Sequence, residues 1–393
     1  MLLKNRKLIT EQLCSSATNF GLLFIPSISL VDQEFTIIGF YYFFLVLINS
    51  FSSALFHIKN NIDIFVSNSE QIHMDNRAQY LFITPLILIP IVSIFYWYLN
   101  VKVLELFIIT VSMYLQGYIE LIRRQNIQVN RLELPLKVAY IGLVLKLAAA
   151  LVANSMYEYF VTILFVMMLQ FAYIYLNSNI KICILNISGL LERLSFCVPL
   201  LLNLPTGNLW GRAPLFILYE FIGVSAASNY LKVASVFNLA NPLIELIPNY
   251  IAPRLSSIYL SDKVEYKDTI KKLLIILIGI YLLGFFVAIL IYFLLFSLID
   301  SYDGITFYNT ILTWGPMVFV FVFPVYSLHQ RCHNDLHKPI YLINLNMLLF
   351  LSLQFSFYYT NILSYNLVMF SLSIQVMISS LYMAWTIIYE RIK

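Results

Sequence analysis

Residues 272–297, KLLIILIGIYLLGFFVAILIYFLLFS, decide the class of this chain. After Lys272 the run holds no Asp, Glu, Lys or Arg, and as a helix rising about 1.5 Å per residue it is long enough to cross about 30 Å of hydrocarbon. Only helices and closed barrels satisfy their backbone in lipid, and the run lacks the alternation of a barrel strand. Lys263, Lys267, Lys271 and Lys272 stand on one side of it, Asp300 and Asp303 on the other. A basic flank, an apolar run and an acidic flank describe one crossing.

The same pattern repeats along all 393 residues. Spans are expected at roughly 9–31, 35–57, 78–98, 103–123, 137–156, 158–177, 196–219, 224–250, 272–297, 304–328, 339–359 and 363–388. The chain is 61% hydrophobic and 11% charged. Soluble domains run near a quarter charged, so this chain could not cover a water-facing surface. The expected class is an all-α polytopic membrane protein of about twelve helices.

Loop charge gives the orientation. Lys and Arg gather in alternate connections: Lys4 to Lys7, Lys59 and Arg77, Arg123 to Lys137, Lys181 and Arg193, Arg254 to Lys272, Arg331 and Lys338, and Arg391 and Lys393. These hold 20 of the 24 basic residues, which supports an even number of spans with both termini cytoplasmic by the positive-inside rule. Asp32, Glu34, Glu158, Asp300 and Asp303 mark the opposite side, where Lys102 is the lone cation. The run after Met1–Lys7 carries Glu11, Gln12 and Asn19 and no small-residue cleavage pattern, so the first span is expected to stay in the protein. A cytoplasmic loop near the middle suggests two six-helix lobes, 1–187 and 188–393. Transporters commonly place their substrate between such halves.

Charges at membrane depth are the candidate site. Each costs roughly 2.5–3.5 kcal/mol on insertion scales and so usually faces a cavity or a partner. The candidates are Glu11, Glu120, Lys146, Arg212, Glu220, Lys232 and Glu245. Glu11, Ser15 and Asn19 recur at i, i+4, i+8, as do Asn241, Glu245 and Asn249, which would put two polar stripes on a central cavity or on helix–helix contacts. Lys146, Arg212 and Lys232 suit an anionic ligand, Arg as a bidentate fork and Lys as a mobile point charge. Internal pairing of Arg212 with Glu220, eight residues on, and snorkelling of Lys232 are the competing readings.

Other features point to less. His329, His333 and His337 have a ligand-like spacing but read as a solvated cytoplasmic turn without a fourth ligand. Cys14, Cys183, Cys197 and Cys332 have no metal or redox spacing. Aromatic clusters at Tyr41 to Phe44, Phe95 to Tyr98 and Phe357 to Tyr359 read as interfacial belts. No phosphate-binding loop, nucleophile elbow or carboxylate pair is present, so neither an enzyme nor a bound cofactor is expected, and transport energy would come from an ion gradient or downhill flux.

Three stretches resemble the O-antigen and polysaccharide flippases of the multidrug/oligosaccharidyl-lipid/polysaccharide exporter superfamily. One is Glu11-Gln12 with Ser15, Ser16, Asn19 and Phe20, running into Gly39-Phe40-Tyr41-Tyr42. Another is a loop from Gly223 to Leu231, with Tyr230, followed by Ala234, Asn238, Pro242 and Asn249. The last is Tyr250, Pro253-Arg254 and the basic segment to Lys272. The chain is short for such proteins, and Phe35 to Ile38 separate Glu34 from Gly39 where the family's turn is tighter.

The resemblance implies twelve spans in two lobes around a central cavity in the bacterial inner membrane. It implies alternating access for undecaprenyl-pyrophosphate-linked oligosaccharide, in O-antigen or lipopolysaccharide assembly. Lys146, Arg212 and Lys232 would form the cationic cavity, and Glu11, Asn19, Glu220, Asn241 and Glu245 would line it or couple it to H⁺ or Na⁺. Partners would be membrane lipids, a polysaccharide polymerase and chain-length proteins, with no nucleic acid. The alternatives are a membrane O-antigen polymerase or ligase, which would need a long external loop with Arg or His, and a small-molecule exporter of the same fold.

Overall fold

The structure, a computed structural model, describes residues 6–52, 55, 69–128, 131–177, 213–237, 255, 258–259, 261–296, 298–299, 302, 304–333 and 337–389. Among these residues every regular element is helical. In chain order they are α1 (Arg6–Ser29), α2 (Asp32–Ser52), α3 (Ser69–Trp97), α4 (Val103–Gln128), α5 (Glu133–Val152), α6 (Met156–Asn177) and α7 (Val224–Phe237). Then follow α8 (Lys263–Ile291), α9 (Phe307–Trp314), α10 (Met317–Cys332), α11 (His337–Tyr359) and α12 (Tyr365–Tyr389). A π-helical turn, Tyr292–Phe296, prolongs α8. Nine helical segments among the described residues are long and apolar enough to span a bilayer. α1 has the length, at 24 residues, but is less apolar than the nine.

Several boundaries move from their expected places. α3 begins at Ser69 and α8 at Lys263, so two expected cytoplasmic loops are partly helix. Asp262 starts α8 by accepting hydrogen bonds from the Val264 and Glu265 amides at 2.8 and 3.0 Å. A further helical stretch covers 213–221 and stops at Ile222–Gly223, where Gly223 takes a φ of +130°. Residues 224–231 are therefore helix rather than the loop expected there. Asn100 and Asn361, at φ 52° and 57°, turn the chain between α3 and α4 and between α11 and α12. Asn is among the few side chains that tolerate this conformation.

The chain divides into two compact units, Met1–Asn208 and Leu209–Lys393. The lobe boundary expected at 187 and 188 lies outside the described residues. In the first unit α4 packs against α2, α3, α5 and α6, and α1 lies along α5. In the second unit α12 is the hub, touching α8, α9, α10 and α11.

α2 is apolar on every face and is correspondingly enclosed, with Phe35 to Leu45 buried without a break. This corrects the belt reading for Tyr41 to Phe44. Tyr41 packs edge-on to Phe160 at 5.0 Å and Phe44 lies 5.6 Å from Phe95, inside the unit. Trp97 and Tyr359 are exposed, as a belt requires. Hydropathy could not separate the two groups, because aromatic rings serve both as core and as interface.

At one proline in each unit the backbone bond that is lost is replaced from a neighbouring helix. Pro26 lies inside α1 and cannot donate to Leu22 four residues back; the Tyr159 hydroxyl of α6 donates to that carbonyl at 2.9 Å. Pro316 cannot donate to Leu312, and Ser373 of α12 fills that place at 3.0 Å. At Gly315-Pro316 the expected tenth span breaks into α9 and α10, and Tyr281 also donates to the Gly315 carbonyl at 3.3 Å. Helix breaks at membrane depth persist only where such partners re-satisfy the backbone.

Candidate functional site

The charged residues of the first unit lie along one face of α4. Gln116, Glu120, Arg123 and Arg124 recur at i, i+4, i+7 and i+8, so they share a side of the helix. Arg123 grips Glu120 bidentately, Nε to Oε2 at 2.7 Å and Nη2 to Oε1 at 2.9 Å. The Nη1 of Arg123 donates across to Glu11 of α1. Arg124 adds a bond to Glu120 at 2.7 Å. Glu11 is 1% exposed and Arg123 12%, so this is an interior network with Arg124 as its wetter edge. A buried carboxylate is tolerable when its lone pairs are met by charged donors of this kind.

Lys146 of α5 is set apart. It is buried, and its ammonium donates to the Gln116 amide oxygen at 2.6 Å. The neighbouring carboxylate, Glu120, acts on it through space while bonded to two arginines. The register of α1 on α5 gives the depth. Lys7 pairs with Glu133 at 2.9 Å, and Gly21 leaves room for Leu147 at the same sequence separation. On that register Lys146 lies nine residues, about 13 Å, deeper than the level of Glu11. A polar column thus runs from the end of α4 toward mid-span and finishes at a cation beside an uncharged amide. Gln170 of α6 donates to the Val138 carbonyl at 3.0 Å, and its buried Oε1 has no hydrogen-bond partner among the described residues.

The remaining expected residues are scattered. Lys232 is buried on α7, its ammonium 5.9 Å from the Tyr302 ring centroid, a cation–π arrangement rather than snorkelling. Glu220 and Asn19 are exposed. Asn19 therefore leaves the stripe it was expected to share with the buried Glu11. Arg212, Asn241 and Glu245 lie outside the described residues.

Sequence reasoning missed Arg123 and Arg124, which counted as loop cations, and Gln116, which carries no charge. Their spacing from Glu120 was the available signal. His329 is also corrected. It is buried at the end of α10, with its Nδ1 3.2 Å from the Tyr266 hydroxyl, instead of lying in a solvated turn. Among the described residues no group of His, Cys, Asp and Glu could hold a metal. A groove of about 390 Å³ between α3 and α4, lined by Pro85, Leu88, Val92, Thr110 and Tyr114 among others, has no charged group on its wall.

The chain resembles solved transporters of the multidrug/oligosaccharidyl-lipid/polysaccharide superfamily. One is a superfamily transporter from Pyrococcus furiosus whose binding pocket is described as reversed in polarity. At 12% identity, the match covers 96% of this chain and 92% of that one, with a TM-score of 0.62. A multidrug-resistance transporter of the MATE family, in an outward-facing conformation, gives the same values. A MATE transporter in complex with MaD3S matches at 11% identity over 97% and 94% of the two chains, with a TM-score of 0.58. No family model matches the chain, and no curated protein matches it. The likeness establishes the fold: a multi-span helical membrane protein built like the transporters of this superfamily.

Proposed function

We propose that this protein is a flippase that moves undecaprenyl-pyrophosphate-linked oligosaccharide across the cytoplasmic membrane by alternating access. The fold supports transport as the class of activity, and Lys146 is the observation that carries the cargo. A buried ammonium whose hydrogen bond goes to an amide, beside a carboxylate already held by two arginines, keeps its charge available for an anion. A pyrophosphate headgroup is such an anion. Lys232 supports the reading by its burial and by the Tyr302 ring beside its ammonium. Glu11 serves as a structural ion-pair partner in this scheme, and the coupling role first considered for it is set aside.

Replacing Lys146 with Ala should abolish delivery of lipid-linked repeat units to the outer leaflet while the protein stays inserted and folded. Single repeat units should then accumulate on the inner leaflet. Unchanged delivery in that variant would overturn the reading.

A small-molecule exporter is the second reading, favoured by the MATE transporters among the structural neighbours. It predicts normal surface polysaccharide in a deletion strain, together with increased sensitivity to organic cations.

A further inference from the structure

The longest apolar segment among the described residues starts with charge. Lys263–Leu294 is 32 residues long with a mean hydropathy of 3.1 in its best window, so as helix it measures about 48 Å. The hydrocarbon core is only about 30 Å thick. The uncharged run begins at Leu273 and fills that thickness by itself. Lys271 and Lys272 then stand at the hydrocarbon boundary, Lys267 about 6 Å and Lys263 about 12 Å beyond it. Headgroups occupy this layer, since they extend about 5–8 Å past the core on each side.

Within these turns three of the lysines share one flank of the helix. Tyr266, Ile270 and Leu274 form the buried seam of α8. Lys263, Lys267 and Lys271 follow at i, i+4 and i+8 on its flank, whereas Glu265, Asp268 and Lys272 project from the far side and are exposed. Asp268 stands three residues from Lys271 and four from Lys272, positions where ion pairs commonly form on helices. None forms here. Lys267 and Lys271 are half-buried, yet Lys267, Lys271 and Lys272 have no hydrogen-bond or ion-pair partner among the described residues. Directly above them, Ile275, Ile276, Leu282 and Leu283 are exposed along the same helix.

We propose that Lys267, Lys271 and Lys272 bind the phosphate of an anionic phospholipid in the leaflet at the start of α8, its acyl chains lying along Ile275 to Leu283. The match is in three parts. The cations lie at headgroup depth, no carboxylate among the described residues pairs with them, and an aliphatic surface continues from them into the core. Each lysine near such a surface strengthens the hold on a negative headgroup, so together they distinguish anionic from zwitterionic lipid. The site is independent of the cargo, and neither reading depends on the other.

Native mass spectrometry of the full-length protein, purified in detergent and exchanged with equal phosphatidylglycerol and phosphatidylcholine, tests this. The wild type should retain phosphatidylglycerol by at least about tenfold over phosphatidylcholine. The triple variant K267Q/K271Q/K272Q should lose that preference, and E265Q/D268N should keep it. If the triple variant does not fold, K267Q and K271Q singly should each weaken retention several-fold, and so should 0.5 M salt on the wild type. Equal retention of the two lipids by the wild type, or undiminished preference in the variants, overturns the proposal. So does a polyprenyl diphosphate displacing phosphatidylglycerol from the site at equal concentration.

Discussion

The two units are both helix bundles, but their interiors are held by different chemistry. In the first unit the described interior is pinned by charge, with Arg123 joining Glu11 to Glu120 across α1 and α4. In the second, α11 and α12 are joined by neutral groups. Ser379 donates to the Asn346 side chain at 2.6 Å, Gln375 to the Asn346 carbonyl at 2.7 Å, and Gln354 to Ser371 at 2.8 Å. The difference is one of consequence. A neutral hydrogen bond that is lost leaves a polar atom to find another partner, while a broken buried ion pair leaves a charge in a medium that cannot solvate it. The first unit is therefore stiff where it is charged, and its exception, Lys146, stands out because it belongs to no pair.

Substitutions can break this comparison, and the largest effect belongs to the charged unit. Arg123→Ala should destabilise the protein by roughly 3–5 kcal/mol, because Glu11 and Glu120 lose their shared partner. Unfolding in mixed micelles, followed by far-ultraviolet circular dichroism, measures it. A loss under about 1 kcal/mol would mean that the network is solvated and the contrast between the units is false.

The next test compares like with like. Tyr159→Phe strips the donor from the Leu22 carbonyl that Pro26 leaves open, and removes the acceptor of the Tyr42 hydroxyl in their 2.9 Å contact. It should cost about 1–3 kcal/mol. Ser373→Ala does the same for Leu312 but should cost about 1 kcal/mol. The Ser373 hydroxyl already shares itself with the Met369 carbonyl at 2.7 Å, so less is lost. Equal costs would show that the two proline repairs are energetically interchangeable.

The smallest effect should come from Ser379→Ala, about 0.5–1.5 kcal/mol, because Asn346 keeps its bond to the Leu342 carbonyl at 2.8 Å. A cost matching that of Arg123→Ala would erase the distinction between charged and neutral interiors.

Much of this was legible in the chain. The apolar runs determined helices, because a backbone in lipid has few other ways to satisfy itself, and that constraint needs no partner to act. Lys146 and Lys232 declared themselves as buried cations, because length and flanking residues alone put them inside spans.

Pairing was not legible. Arg123 and Arg124 lie close enough to the end of α4 to read as loop cations, and only the packing of α1 against its neighbours gives Arg123 a second carboxylate, Glu11, 112 residues away. Tyr41 to Phe44 could be belt or core until α2 was enclosed by α3, α4 and α6. The Gly315-Pro316 break is written in the sequence, yet its survival depends on a serine 61 residues away from Leu312. The sequence by itself determined which segments enter the membrane, because transfer from water is a local property of each segment. Only the tertiary structure decided which buried polar groups answer one another, because that depends on distances between helices that the chain order does not encode.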